Sequence, residues 1–248
     1  MYVNKLKLNN GKTEFMLLGR SHDLQNVTLD SMHVGDVTVC KKDFVKNLGV
    51  MFDTNMKMDV HVENICRVSY YHLKNISDIR KYLSKDSAQK LVHAFVTSRL
   101  DYCNSLLYGT SSILLSKLQW VQNMAARIVA LKGKYEHITP VLKDLHWLPI
   151  RYRIIYKLLL ITYKALNNQA PVYIKDFIQM YESKRSNLRS SGQSLLHVPK
   201  SNFVRCGDRA FAVCAPTLWN KLPLEIKCSA TIDTFKSNLK THLFKQAF

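Results

Sequence analysis

The sequence predicts a mainly helical α+β protein: a small antiparallel sheet first, then a helical, thumb-like bundle, then a small C-terminal α/β unit. Three observations predict it. Short apolar runs broken by Asn, Gly and Asp crowd residues 1–54, which is strand and turn chemistry. Over residues 55–182 the apolar spacing changes to steps of three and four, the period of a helix. Residues 183–194 form a polar, basic loop, and residues 195–248 hold a hairpin-like pair of apolar runs and one more helical period.

Each element has its own local pattern. Residues 14–18, 37–40 and 44–52 are short apolar or alternating runs, bounded by Asn9-Asn10-Gly11, Gly19 and Gly35-Asp36. They suggest one small antiparallel sheet, thin on its own because a single apolar face needs a second layer over it. Between 59 and 83, Val62, Ile65, Cys66, Leu73, Ile76 and Ile79 recur at helical spacing, and 86–98 repeats the pattern. In 112–131, Leu114, Leu118, Val121, Ala125 and Ile128 form one stripe, with Gly133 as the expected stop. Thr139-Pro140 reads as a cap followed by proline at the first helical position, and Pro149 ends that short helix. A long helix over 150–166 comes next, Pro171 opens another, and 195–198 with 203–206 reads as a hairpin. Residues 216–223 read as a turn region around Trp219, and 229–244 as a helix with Ile232, Phe235, Leu239 and Leu243 on one face.

Composition excludes several classes. Apolar residues are 47% and charged residues 22% of 248, so the chain is neither disordered nor low-complexity. The best apolar stretch, 154–161, is interrupted by Lys157 and is far short of the ~20 apolar residues a spanning helix needs. The first residues lack the apolar core of a secretory signal. Cys40, Cys66, Cys103, Cys206, Cys214 and Cys228 form no CxxC pair, which suggests reduced thiols in the nucleus or cytoplasm. Charge is the unusual quantity: 36 Lys and Arg against 18 Asp and Glu give +18. Residues 1–60 carry 8 basic and 7 acidic side chains, so +17 lies beyond them. Such an excess predicts a polyanionic partner, nucleic acid first.

The residue types for catalysis are absent or scattered. There is no GxSxG elbow, no Walker-type loop and no GxGxxG. His197, Cys206, Cys214 and Cys228 lack the close spacing that lets one turn present two zinc ligands. Asp53, Asp59 and Asp101 are isolated and no two aspartates are adjacent, so a pair of metal ions has no obvious ligands. The basic residues say more. Arg153, Lys157 and Lys164 share one helical face beside Tyr152, Tyr156 and Tyr163, where cations would meet phosphates and rings would stack on bases. The alternative is a solvated face beside a buried tyrosine row. Lys184, Arg185 and Arg189 form a second cluster in the polar loop, and Lys117 and Arg127 a weaker pair on the 112–131 helix.

Several strings, in order, carry a family resemblance. Asn4-Lys5-Leu6-Lys7-Leu8-Asn9 with Lys12-Thr13-Glu14-Phe15 resembles the segment just downstream of the YxDD strand in reverse transcriptases of animal non-LTR (LINE-type) retrotransposons. Lys46-Asn47-Leu48-Gly49-Val50 with Phe52-Asp53 resembles their primer-grip hairpin at the end of the palm. Leu91-Val92-His93-Ala94-Phe95 and Ser98-Arg99-Leu100-Asp101-Tyr102-Cys103-Asn104 are similar to their thumb. Leu145-His146-Trp147-Leu148-Pro149, Gly207-Asp208-Arg209-Ala210-Phe211 and Leu218-Trp219-Asn220-Lys221-Leu222-Pro223 are similar to the region beyond it.

The resemblance implies the end of a palm, a thumb and a C-terminal region, with the fingers, most of the palm and the YxDD aspartates preceding Met1. It implies a non-catalytic fragment that holds RNA or an RNA–DNA hybrid, with the missing palm and fingers as a partner in trans. No cofactor is expected of this chain, since Mg2+ belongs to the full-length family enzyme. Lys12 matches a lysine near the incoming nucleotide, and Leu48 and Gly49 match the primer-grip turn. The alternative is a non-catalytic helical protein-interaction module, or a relic of a transposon.

Overall fold

Short hairpins and a long succession of helices make up the computed structural model, which describes residues 9–181, 193–201 and 207–248. The expected mainly helical α+β class is what is found. The chain divides into two units, residues 1–64 and 65–248.

In the first unit a 3-10 turn (Asn10–Lys12) and a short helix α1 (Ser21–Gln25) precede two hairpins. Strands β1 (Ser31–Val34) and β2 (Val37–Cys40) pair antiparallel, as do β3 (Phe44–Asn47) and β4 (Val50–Asp53). Both turns have two residues. Gly35 has φ 60°, and Leu48 and Gly49 have φ 46° and 86°; two successive positive values fit the strand twist, and the first burdens a leucine. The single sheet expected from the sequence is therefore two separate two-stranded hairpins. Residues 14–18 are not a strand; one bridge joins Phe15 to Lys41 and an ion pair joins Glu14 to Lys42. The reason is burial: β1 and β2 expose nearly every position, leaving no continuous apolar face to hold four strands together.

Asp53 ends β4 and organises the turn into the first long helix. Its buried carboxylate accepts from the backbone N–H of Asn55 (3.1 Å), Lys57 (2.9 Å) and Met58 (2.6 Å), directing the chain into α2 (Asp59–Ile79). Met51 N–H donates to Nδ1 of buried His61 at 3.4 Å. Burial lowers the His61 pKa, in keeping with a neutral ring that accepts. Met58, His61 and Val62 are buried here.

The second unit continues through a 3-10 turn (Arg80–Tyr82), α3 (Lys85–Val92), a π-turn (His93–Thr97), α4 (Ser98–Asp101) and a 3-10 turn (Asn104–Leu107). Then come α5 (Ser112–Ala130), α6 (Ile138–Asp144), α7 (Ile150–Leu166), α8 (Val172–Lys175), α9 (Phe211–Asn220), α10 (Leu224–Lys227) and α11 (Ile232–Ala247). Helix α5 packs against α3, α6 and α7, and α7 against α9 and α11. The α5 stripe buries Leu114, Leu118, Val121 and Ala125 as predicted, with Val129 rather than Ile128 at its end. Ser84, Ser111 and Thr231 cap α3, α5 and α11 through side-chain oxygens. Buried Arg80 donates to the carbonyls of Ile128 (2.8 Å) and Val129 (2.9 Å), supplying partners for carbonyls that a helix end leaves open. On α11, Phe235, Leu239 and Leu243 are buried, and Phe235 stacks on Tyr163 with ring centroids 4.1 Å apart.

Several boundaries differ from expectation. Leu131, at φ 54°, ends α5, not Gly133. Helix α6 has His137 at its N-cap position, which places Pro140 third in the helix; its missing N–H is one of the first four, which have no partner within a helix. Residues 216–220 are helical, with Pro216 inside α9. There the burial of Cys214, Ala215, Leu218 and Trp219 offsets the ~3 kcal/mol a proline costs. Residues 195–198 form no strand; Leu196 makes one bridge to Met180, and residues 203–206 lie outside the described residues. No described helix is long and apolar enough to cross a membrane.

Candidate nucleic-acid interface

Of the three basic residues singled out on helix α7, the structure leaves one exposed. Arg153 is engaged: its Nε donates to Asp101 Oδ1 at 2.8 Å and its Nη2 pairs with Asp101 Oδ2. With its side chain only 18% exposed, it ties α7 to α4 instead of waiting for a phosphate. Lys157 is exposed and Lys164 half-buried. The tyrosine row is largely structural. Tyr163 is buried and donates to Ser229 O at 2.7 Å, and Tyr152 donates to Gln246 O at 2.9 Å. Half-buried Tyr156 lines a cleft together with Arg153 and Lys157.

On α5, Lys117 and Arg127 are half-buried, and Arg127 is partly committed, donating to Glu136 O at 3.2 Å. Between them stands a residue that the charge pattern alone does not single out. Trp120 is 62% exposed. Ile113, Lys117, Trp120, Met124 and Arg127 follow at steps of four, three, four and three, one helical face. The signal is present in the sequence: position 120 falls off the buried Leu114–Leu118–Val121–Ala125 stripe. In the first unit Lys12 is exposed on its 3-10 turn, and Leu48, 83% exposed, shares the β3–β4 tip with Gly49. Lys184, Arg185 and Arg189 lie outside the described residues.

Three of the resembling strings meet at this cleft of ≈ 470 Å³ in the second unit: His93 from the first, Asp101 and Asn104 from the second, His146 and Trp147 from the third. Helix α5 fixes its wall. Gln122 Nε2 donates to Leu148 O and Ile150 N–H donates to Gln119 Oε1, both at 2.9 Å, which pins the turn carrying Trp147. Cys103 and His146, each just before a wall residue, have φ of 50° and 52°, a conformation non-glycine residues seldom adopt. Asn104 Oδ1 and Trp147 Nε1 are buried without a hydrogen-bond partner, an arrangement that costs about 1–3 kcal/mol per group. The His93 ring meets Trp147 edge-on at 5.4 Å. Burial chiefly, and then Arg153, lowers the His93 pKa, while Asp101 opposes them. Lys157 and Lys240 also line the cleft and are exposed; among the described residues neither has an ion-pair partner.

The later strings do structural work. Arg209 donates to Tyr108 O (2.9 Å) and Leu106 O (3.1 Å). A Cβ at Gly109, where φ is 70°, would stand 2.5 Å from Arg209 Cγ. Asn220 exchanges hydrogen bonds with both backbone groups of Leu196, and Trp219 Nε1 donates to Ser194 O at 3.0 Å. Comparison with known protein families, curated proteins and solved structures finds no match.

Charge separates the two units. Residues 1–64 hold 8 basic and 8 acidic side chains; residues 65–248 hold 28 and 10. Chemically, the second unit can neutralise phosphates and offer an exposed indole for stacking.

Proposed function

We propose that this chain is the C-terminal part of a non-LTR retrotransposon reverse transcriptase, binding RNA or an RNA–DNA hybrid through its helical unit and catalysing nothing by itself. The observation that carries this reading is the confinement of the whole +18 to residues 65–248. Lysines and arginines gain affinity by releasing the counterions condensed on a nucleic acid, and phosphate contacts hold it without reading its sequence. Trp120 beside Lys117 adds a ring on which an unpaired base can stack. The sequence contains no Tyr-x-Asp-Asp string, so the carboxylates that would hold Mg2+ for nucleotide transfer would lie outside these 248 residues. The working place is the nucleus or cytoplasm, where the element's RNA is.

A second reading, a helical protein-interaction module, is favoured by the exposed apolar residues Ile113, Trp120 and Met124 on one face of α5. Fluorescence anisotropy of a labelled RNA–DNA hybrid, titrated with the protein at several salt concentrations, separates the two. The nucleic-acid reading predicts affinity falling linearly in log salt. Absence of binding at low salt would leave the interaction module.

A further inference from the structure

We propose that the cleft between α4, α7 and the 145–149 turn is a pocket for one unpaired nucleotide, its base held at Asn104 and Trp147 and its phosphate at Lys157 and Lys240. The inference rests on the nucleic-acid reading and sharpens it to a single site. A volume of ≈ 470 Å³ suits one small molecule rather than a duplex. The wall holds an unpartnered acceptor, Asn104 Oδ1, and an unpartnered donor, Trp147 Nε1; an indole N–H can only donate. The Watson–Crick edge of every nucleobase carries a donor beside an acceptor, so the pocket takes an unpaired base without choosing among the four. Both atoms are buried on residues that line the cleft, so binding requires each side chain to turn toward the base. Among the described residues lining the cleft the one carboxylate, Asp101, is already paired with Arg153, which leaves Lys157 and Lys240 as uncompensated positive charge there. That charge suits a phosphate. A paired base cannot enter, so the ligand is an unstacked nucleotide, either free or in an overhang.

The indole N–H signals of the three tryptophans give a direct readout by two-dimensional 15N NMR on the full chain, the Trp147 signal being identified by its loss in Trp147→Phe. Uridine 5′-monophosphate is expected to move that signal, and ribose 5-phosphate is not. Trp147→Phe is expected to weaken uridine 5′-monophosphate about tenfold, as for loss of one good hydrogen bond, while its own melting curve reports the packing it loses. Lys157→Ala and Lys240→Ala are expected to weaken ribose 5-phosphate and the nucleotide alike. A hybrid with a single-stranded overhang should move the signal and a blunt one should not. An unmoved Trp147 signal, or an equal response to ribose 5-phosphate, overturns the pocket while hybrid binding by anisotropy keeps the broader reading. A moved signal without hybrid binding supports the pocket for free nucleotides and overturns the broader reading instead. Silence in both experiments overturns both.

Discussion

Residues 1–64 and 65–248 hold themselves together by different means. The first unit buries few apolar side chains, Val39, Val50, Met58 and Val62 among them, and leaves Leu18, Leu29, Met32 and Phe44 exposed. Its order comes largely from hydrogen bonds, above all the three N–H groups on Asp53. The second stacks Tyr163, Phe235 and Trp219 in its interior and pins its turns with buried side chains such as Arg80 and Gln122. It also carries all the net charge. The difference teaches where charge can accumulate: a large apolar core tolerates the self-repulsion of 28 cations that a pair of hairpins would not. Under the proposed function, the exposed apolar residues of the first unit would be covered by the rest of a palm.

The sharpest way to break the comparison is to remove a ring from the second core. Phe235→Ala should cost about 3–5 kcal/mol and melt that unit cooperatively by circular dichroism; a loss under about 1 kcal/mol would mean the core is not organised around this stack. Asp53→Ala should cost about 2–3 kcal/mol in the first unit, three buried N–H groups losing their acceptor. Amide exchange should then accelerate at Asn55, Lys57 and Met58 while the amides of α7 stay protected. Asp101→Asn, which breaks a half-exposed pair with Arg153, should cost only about 1–2 kcal/mol and be read as a modest drop in Tm.

Acid supplies the smallest effect. Burial lowers the pKa of His61, and burial assisted by neighbouring cations lowers those of His93 and His242. A depressed histidine binds fewer protons folded than unfolded, so its contribution is complete above the ordinary histidine pKa, about 6.5, and is lost as pH falls below it. Thermal melts should therefore weaken from pH 7.5 to 5.5 in both units, and His93→Gln should flatten the slope in the second only. An unchanged slope would show that His93 is not held neutral.

Much of this architecture was legible because periodicity reports burial. Leu114, Leu118, Val121 and Ala125 are buried where the stripe put them, as are Phe235, Leu239 and Leu243. Strand pairing was less legible, since four-residue strands with two buried positions at most do not specify partners, and residues 14–18 read as a strand from composition alone. Pro216 misled because its local cost is set against tertiary burial that no local window contains. The site was legible in part. Lys157 is exposed as expected, but nothing in the spacing shows that Asp101, 52 residues away, holds Arg153. Nor does spacing reveal that His93, Asn104 and Trp147, from three separate strings, line one cleft.

The central claim, that nucleic acid lies on the second unit, is tested most directly by lysine footprinting of the full chain with and without an RNA–DNA hybrid, read residue by residue in a mass spectrometer. The account predicts protection of Lys117, Lys157 and Lys240, with Lys41, Lys42 and Lys46 reacting as before. Protection confined to residues 1–64, or spread evenly over both units, would contradict it.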